Sequence, residues 1–152
     1  MQALELKVPP PVVGLLVAAA MWGVSDWPPA FTHAPTIRLV LAGVLAVVGV
    51  GFDILGLLAF RQSRTTINPL RPARASALVT AGVYRVTRNP MYVGMAFLLT
   101  AWAIYLGALW PFLGPLLFVA YINRFQIAPE ERVLRSKFGE FDAYAAQVRR
   151  WL

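Results

Sequence analysis

Between Met91 and Ile122 the chain runs for 32 residues without one charged side chain. Few environments accept such a stretch. A soluble domain buries apolar residues along one stripe of a helix or one face of a strand, and this run has no polar face at either period. Hydrocarbon accepts it, because a helix satisfies its own backbone hydrogen bonds and crosses about 30 Å with roughly 20 apolar residues. Composition agrees: 59% of the 152 residues are hydrophobic and 14% charged, with a mean hydropathy of +0.62, where soluble domains carry about 25% charge. The same figures exclude a disordered chain.

Two further apolar runs precede it. Leu39–Phe60 is 22 residues long and interrupted only by Asp53, which matches one full crossing. Residues 12–24 reach spanning length only with Pro11 and Trp27 as edges, and Pro9, Pro10, Pro11 and a single Lys7 make a poor basic leader. That stretch is therefore read as an anchored helix and not as a signal peptide. The 32-residue run is too long for one straight crossing and short for two. With Gly107, Pro111, Gly114 and Pro115 in its middle, it reads as a tight hairpin of two short or tilted helices.

Charge placement orients these elements. The formal net charge is +7, from 14 Lys and Arg against 7 Asp and Glu. Six arginines (Arg61, Arg64, Arg71, Arg74, Arg85, Arg88) follow the second run, and six basic residues (Arg124, Arg132, Arg135, Lys137, Arg149, Arg150) follow the hairpin. Basic loops stay cytoplasmic, so both termini are expected inside. The surplus then reflects topology and attraction to anionic headgroups, with membrane lipids and no nucleic acid as partners. The predicted fold is an all-α integral membrane protein, one domain over residues 1–152. It has about four transmembrane helices (about 12–27, 39–60, 90–107 and 111–127), the last two forming the hairpin. A cytoplasmic amphipathic helix follows over about 129–148, where Val133, Leu134, Phe138, Phe141, Ala145 and Val148 recur at three- and four-residue steps.

Without cysteine, and with His33 as the one histidine, thiolate nucleophiles, Ser-His triads and Cys/His metal cages are excluded, and no metal is expected. Chemistry falls to Arg, Glu, Asn, Tyr and backbone. Two segments gather them. In Gly82–Gly94, Asn89 suits an N-cap and Pro90 a first helical position, which accounts for that pair structurally. It does not account for Arg85, Arg88, Tyr84 and Tyr92 at the membrane boundary. In Pro129-Glu130-Glu131, a proline at a helix start and two first-turn carboxylates complement the macrodipole, again a structural account. Placed at one end of one bundle, the two segments would suit a ligand with a cationic group and a carboxylate. Asp53 is costly in mid-span and hence a functional candidate, with a helix-to-helix hydrogen bond and a place in a pocket both open.

Arg88-Asn-Pro-Met-Tyr92 with Gly94, followed by Glu130-Glu131 with Leu134, Phe138 and Gly139, resembles the signature of the isoprenylcysteine carboxyl methyltransferase family and its phospholipid methyltransferase relatives, nearest the bacterial branch. Thr65–Pro69, Leu78–Thr80 before Gly82, and the ending Val148-Arg-Arg-Trp151 extend the resemblance over roughly residues 60–152. It implies a bacterial inner-membrane enzyme that takes S-adenosylmethionine without a Rossmann domain, releases S-adenosylhomocysteine, and methylates a lipid-like or prenylated carboxylate, amine or thiol at the cytoplasmic face. Gly49-Val-Gly51 lies inside an apolar span and is a helix-packing feature, not a dinucleotide loop. By motif the resemblance assigns the cofactor to Asn89, Pro90, Tyr92, Gly94, Glu130 and Glu131. Arg88 and Arg85 are then expected to orient an anionic acceptor group.

Two departures stand out: Asn89 occupies the family's usual histidine position, and the run after Gly139 is one residue shorter, so no catalytic role is carried to Phe141 or Tyr144. Asparagine hydrogen-bonds but accepts no proton near neutral pH. A small four-helix exporter using Asp53 would also have this length, but leaves Glu130-Glu131 unexplained. A scaffold predicts neither cofactor binding nor proton coupling.

Overall fold

The computed structural model describes residues 5–31, 35–63, 73 and 75–152. His33, Arg64, Arg71, Arg74 and the segment 65–69 lie outside the described residues. Among those described, the regular secondary structure is helical apart from one isolated bridge, Ala30 to Ala108. Helix α1 is Pro10–Gly23, α2 Pro35–Gln62, α3 Pro90–Leu106 and α4 Leu113–Ile122. A π-helical segment, Asn123–Ile127, continues α4 into α5, Ala128–Lys137, and α6 is Phe141–Gln147. Each of α1, α2 and α3 opens on a proline, whose missing N–H would lack a partner there anyway. Helix α3 stops at Gly107, which takes the left-handed conformation at φ 67° and returns its N–H to Ala103 O.

The chain runs the length of the bundle four times. At one end the α1–α2 and α3–α4 connections meet: Phe31 N–H donates to Gly107 O (2.6 Å), Leu109 N–H to Pro29 O (3.1 Å) and Trp110 Nε1 to Pro28 O (2.9 Å). At the other end the two termini converge on the α4–α5 joint. Leu6 N–H donates to Phe125 O (3.1 Å), Glu5 pairs with Arg124 and Arg132, and Trp151 Nε1 donates to Asn123 Oδ1 (3.0 Å). The core lies between α1, α3 and α4 around Met21, Leu99, Ala103, Phe118, Ile122 and Ile127.

Helix α2 packs chiefly on α3, and near its C-terminal end on the 3-10 turn Gly82–Arg85, where Phe60 meets Tyr84. A methyl group built on Gly49 would lie 2.8 Å from Gly94 O, and one on Gly94 would lie 2.7 Å from Gly49 O, so these glycines let two backbones touch. The outer face of α2 is bare, with Val47 74% and Val40 60% exposed. Of the described helices, α2 is long and apolar enough to cross a bilayer, whereas α1 and α3 are apolar but shorter, 14 and 17 residues.

Three sequence expectations are corrected. Helix α2 has 28 residues, not 22, because it takes in Arg38 and Arg61, whose long stems let a charge leave an apolar surface. The expected helix over 129–148 is two helices, broken where Phe138 turns extended (φ −121°, ψ 111°) before Gly139. No helix starts at Pro129: Ile127 is already helical (φ −64°, ψ −49°), so the π segment runs straight into α5. The macrodipole account of Glu130 and Glu131 therefore fails.

Candidate active site at the N-terminal ends of α3 and α5

The 3-10 turn Gly82–Arg85 and residues 86–89 lead into α3 beside the tail of the chain. Thr87 is fully buried; its hydroxyl donates to Arg150 O (2.8 Å) and accepts from Asn89 N–H (3.2 Å). Asn89 stands at the N-cap position but makes no side-chain cap. Its Nδ2 donates to Arg150 O (3.0 Å). Pro90 fills the first helical position and is buried.

One turn of α3 carries Tyr92 inward, where its hydroxyl donates to Glu130 Oε1 (2.8 Å). Gln126 Nε2 donates to the same oxygen (2.7 Å) from four residues earlier, across the π–α5 joint. Glu130 thus has two neutral donors and, among the described residues, no ion-pair partner. Its carboxyl is pushed up to about 7. Burial is the chief cause and the nearby Glu131 charge adds to it, while the bonds from Gln126 and Tyr92 offset part.

Glu131, next in sequence, has the opposite surroundings. Arg150 Nη2 and Nε reach both its oxygens (2.7 and 3.0 Å), and Arg88 Nη2 reaches Oε1 (2.9 Å). Burial alone would raise this carboxyl, but the two guanidinium groups outweigh it and hold it below the usual carboxylate range. Arg88 also donates through Nη1 to Ala145 O (2.8 Å) and Val148 O. Its guanidinium is therefore held inside the protein, where it positions neighbours; the expected acceptor contact would need it turned outward.

Of the residues singled out in the sequence, Asn89, Pro90, Tyr92, Glu130, Glu131 and Arg88 are brought together here. Arg85 is exposed on its 3-10 turn, apart from the cluster. Gly94 faces the other way, into the α2–α3 seam, where an added methyl would collide with Asp53 Oδ1. That oxygen is buried and has no hydrogen-bond partner among the described residues, so Asp53 makes no helix-to-helix hydrogen bond there through it. Phe141 is buried packing, and Tyr144 donates to Tyr84 O (2.7 Å).

Sequence reasoning missed Gln126, Thr87 and the tail. Gln126 was detectable, as an amide four residues before a carboxylate on one helix face. The tail contacts run from backbone carbonyls at 145–150 to residues about 60 positions earlier, and no local pattern announces them. Among the described residues no group of three or more metal-ligating side chains occurs.

A family model described as phospholipid methyltransferase matches residues 37–141, more than half of the chain. An uncharacterized protein of Haemophilus influenzae is 48% identical over 63 residues, 41% of this chain and 100% of that protein. No solved structure matches.

Proposed function

Since the chain belongs to the phospholipid methyltransferase family, we propose that it is an integral membrane enzyme that transfers a methyl group from S-adenosylmethionine to a lipid-like acceptor at the cytoplasmic face. In this reading all four helices cross the bilayer. The short α1, α3 and α4 are met by local thinning and by the aromatic residues Trp22, Trp27 and Trp110 at one end. The end holding Arg88, Arg124, Arg132, Arg149 and Arg150 is cytoplasmic, as expected for clustered basic residues.

The observation that carries this is Glu130: a carboxylate with two hydrogen-bond donors, no cation, and a carboxyl raised to about 7. Among the described residues no cation bonds Glu130 directly, and a sulfonium cofactor with an α-amino group offers two cationic groups. The residues present therefore fit the cofactor. When bound, it supplies an electrophilic methyl for in-line displacement.

The chain's part is to bind, align and dehydrate. Glu130 takes a cationic group, Asn89, Tyr92 and local backbone take polar edges, and the buried Pro90 and Tyr92 keep water from that side. Arg85, exposed beside Val83 and Val86, orients the acceptor's anionic group. Val83 and Val86 join Val48, Phe52 and Leu55 of α2 in lining an open apolar groove, which suits the chain of a lipid. A carboxylate or thiolate acceptor needs no base, which suits a site that gives Glu130 to the cofactor; an amine acceptor must shed its proton to another base. Family membership gives no support to a proton-coupled exporter built on Asp53.

The test is calorimetric titration of the detergent-solubilised protein with S-adenosylmethionine, wild type against Glu130→Ala. Binding by the first and its loss in the second are expected. No heat of binding by the wild type defeats the proposal. Membranes given radiolabelled methyl donor would then show whether label enters lipid, protein or a volatile product.

A further inference from the structure

The last residues of the chain do more than end it. The Arg150 guanidinium grips Glu131 with two nitrogens on two oxygens, the planar fork geometry that lysine cannot reproduce. The backbone of the same segment holds the strand of chain that enters α3. Arg149 O accepts from Arg88 N–H (2.9 Å), and Arg150 O accepts from both Thr87 Oγ1 and Asn89 Nδ2. Trp151 pins the segment to Asn123, in the same π segment as Gln126.

The tail thus touches each side of the Tyr92–Glu130 contact at one remove. Asn89 O caps the first turn of α3 by accepting from Tyr92 N–H (3.0 Å), and Glu131 adjoins Glu130 in sequence. With Glu131 already paired with two arginines, Glu130 is the carboxylate of this pair left to meet a cation. We infer that Arg150, through its fork on Glu131 and the carbonyls of residues 148–150, is a positioning residue that holds Tyr92 and Glu130 in register for the cofactor. This rests on the methyltransferase reading, and it reassigns Glu131 from cofactor ligand to anchor.

S-adenosylhomocysteine titrated into the full-length protein in detergent tests it, using wild type, Arg150→Ala and Arg150→Lys. The readout is the split between Kd and stoichiometry. A positioning role raises Kd with stoichiometry near that of wild type, at least tenfold for Arg150→Ala and less for Arg150→Lys, which keeps the charge and loses the fork. A merely structural role lowers the fraction of competent protein and leaves Kd alone, and that result overturns the inference. So does an Arg150→Ala protein with wild-type Kd and stoichiometry. A wild type that binds no S-adenosylhomocysteine strikes instead at the proposed function, so the two failures are distinct.

Discussion

The sharpest consequence of the site concerns pH. Glu130 titrates about 7 in the folded protein against an ordinary 4.5, so it is mostly neutral at pH 6 and mostly charged at pH 8. The ionised fraction rises from about 9% to about 91% across that interval, and affinity for a cation that needs the charged form scales with that fraction. Cofactor affinity is therefore expected to strengthen about tenfold from pH 6 to pH 8. The ligand's own α-amino group, with a reference pKa of about 7.7–8.0, titrates nearby and would blur a single curve. Glu130→Gln removes the protein's contribution and leaves the ligand's, so the quantity to read is the ratio of Kd at pH 6 to Kd at pH 8, wild type against variant.

Stability carries the opposite sign. Because the folded carboxyl is raised, the fold favours the protonated form, and stability is lost as pH climbs from about 4.5 through about 7. A thermal melt without ligand should therefore fall as pH climbs from about 4.5 to about 7, and Glu130→Gln should remove that fall together with the carboxyl's share of the affinity rise. Equal Kd ratios for the two proteins would refute the assignment of the cation to Glu130.

Three other outcomes follow from the geometry. Tyr92→Phe removes one of two bonds to Glu130, worth about 1.5–3 kcal/mol for a charged acceptor, so cofactor affinity at pH 8 should weaken about tenfold and the midpoint of its pH dependence should move alkaline; an unmoved midpoint would show that the bond does not reach the carboxyl. Gly94→Ala places a methyl against Asp53 Oδ1 and Gly49 O, and should lower the thermal stability of the detergent-solubilised protein by about 1–3 kcal/mol. The double variant with Asp53→Ala should recover only part of that loss, because the Gly49 carbonyl stays. The chain has no cysteine, so single cysteines at the exposed Leu109 and Gly139 should react with an impermeant maleimide from opposite sides of sealed vesicles; labelling from one side would remove the four-crossing reading.

How much of this the sequence disclosed depends on the range of the interaction. Helical class was legible because apolar runs and proline starts act over a few residues, and Pro10, Pro35 and Pro90 all open helices. The motif residues Tyr92 and Glu130 were legible as a resemblance, and they do meet. Their difference from Glu131 was not, since it depends on Arg150, 19 positions on, and on Arg88, 43 positions back. The break at Phe138 was missed because apolar spacing continues through it; only the extended backbone reveals that Phe141 sits on a separate helix. Asp53 was legible as costly, but its place against Gly94 required two glycines on different helices to coincide.

Charge balance at this end explains why two neighbouring carboxylates must differ. The region is rich in arginine, which by itself repels a sulfonium. Arg88 and Arg150 share Glu131, leaving that trio one charge positive, and an ionised Glu130 brings the group to neutrality. A protonated Glu130 restores the excess and with it the repulsion, within a few ångströms of where the cation would sit. Environments that push two adjacent titrating groups apart are the usual way a protein gives similar side chains different tasks. Here the separation comes from helix geometry: successive residues point about 100° apart, so Glu131 faces the tail while Glu130 faces Tyr92 and Gln126. Removing the tail arginine would leave Glu131 with Arg88 alone, so that its carboxyl and, through the lost positive charge, that of Glu130 would both move up. A cofactor curve for Arg150→Ala that shifted alkaline would be the signature of that loss.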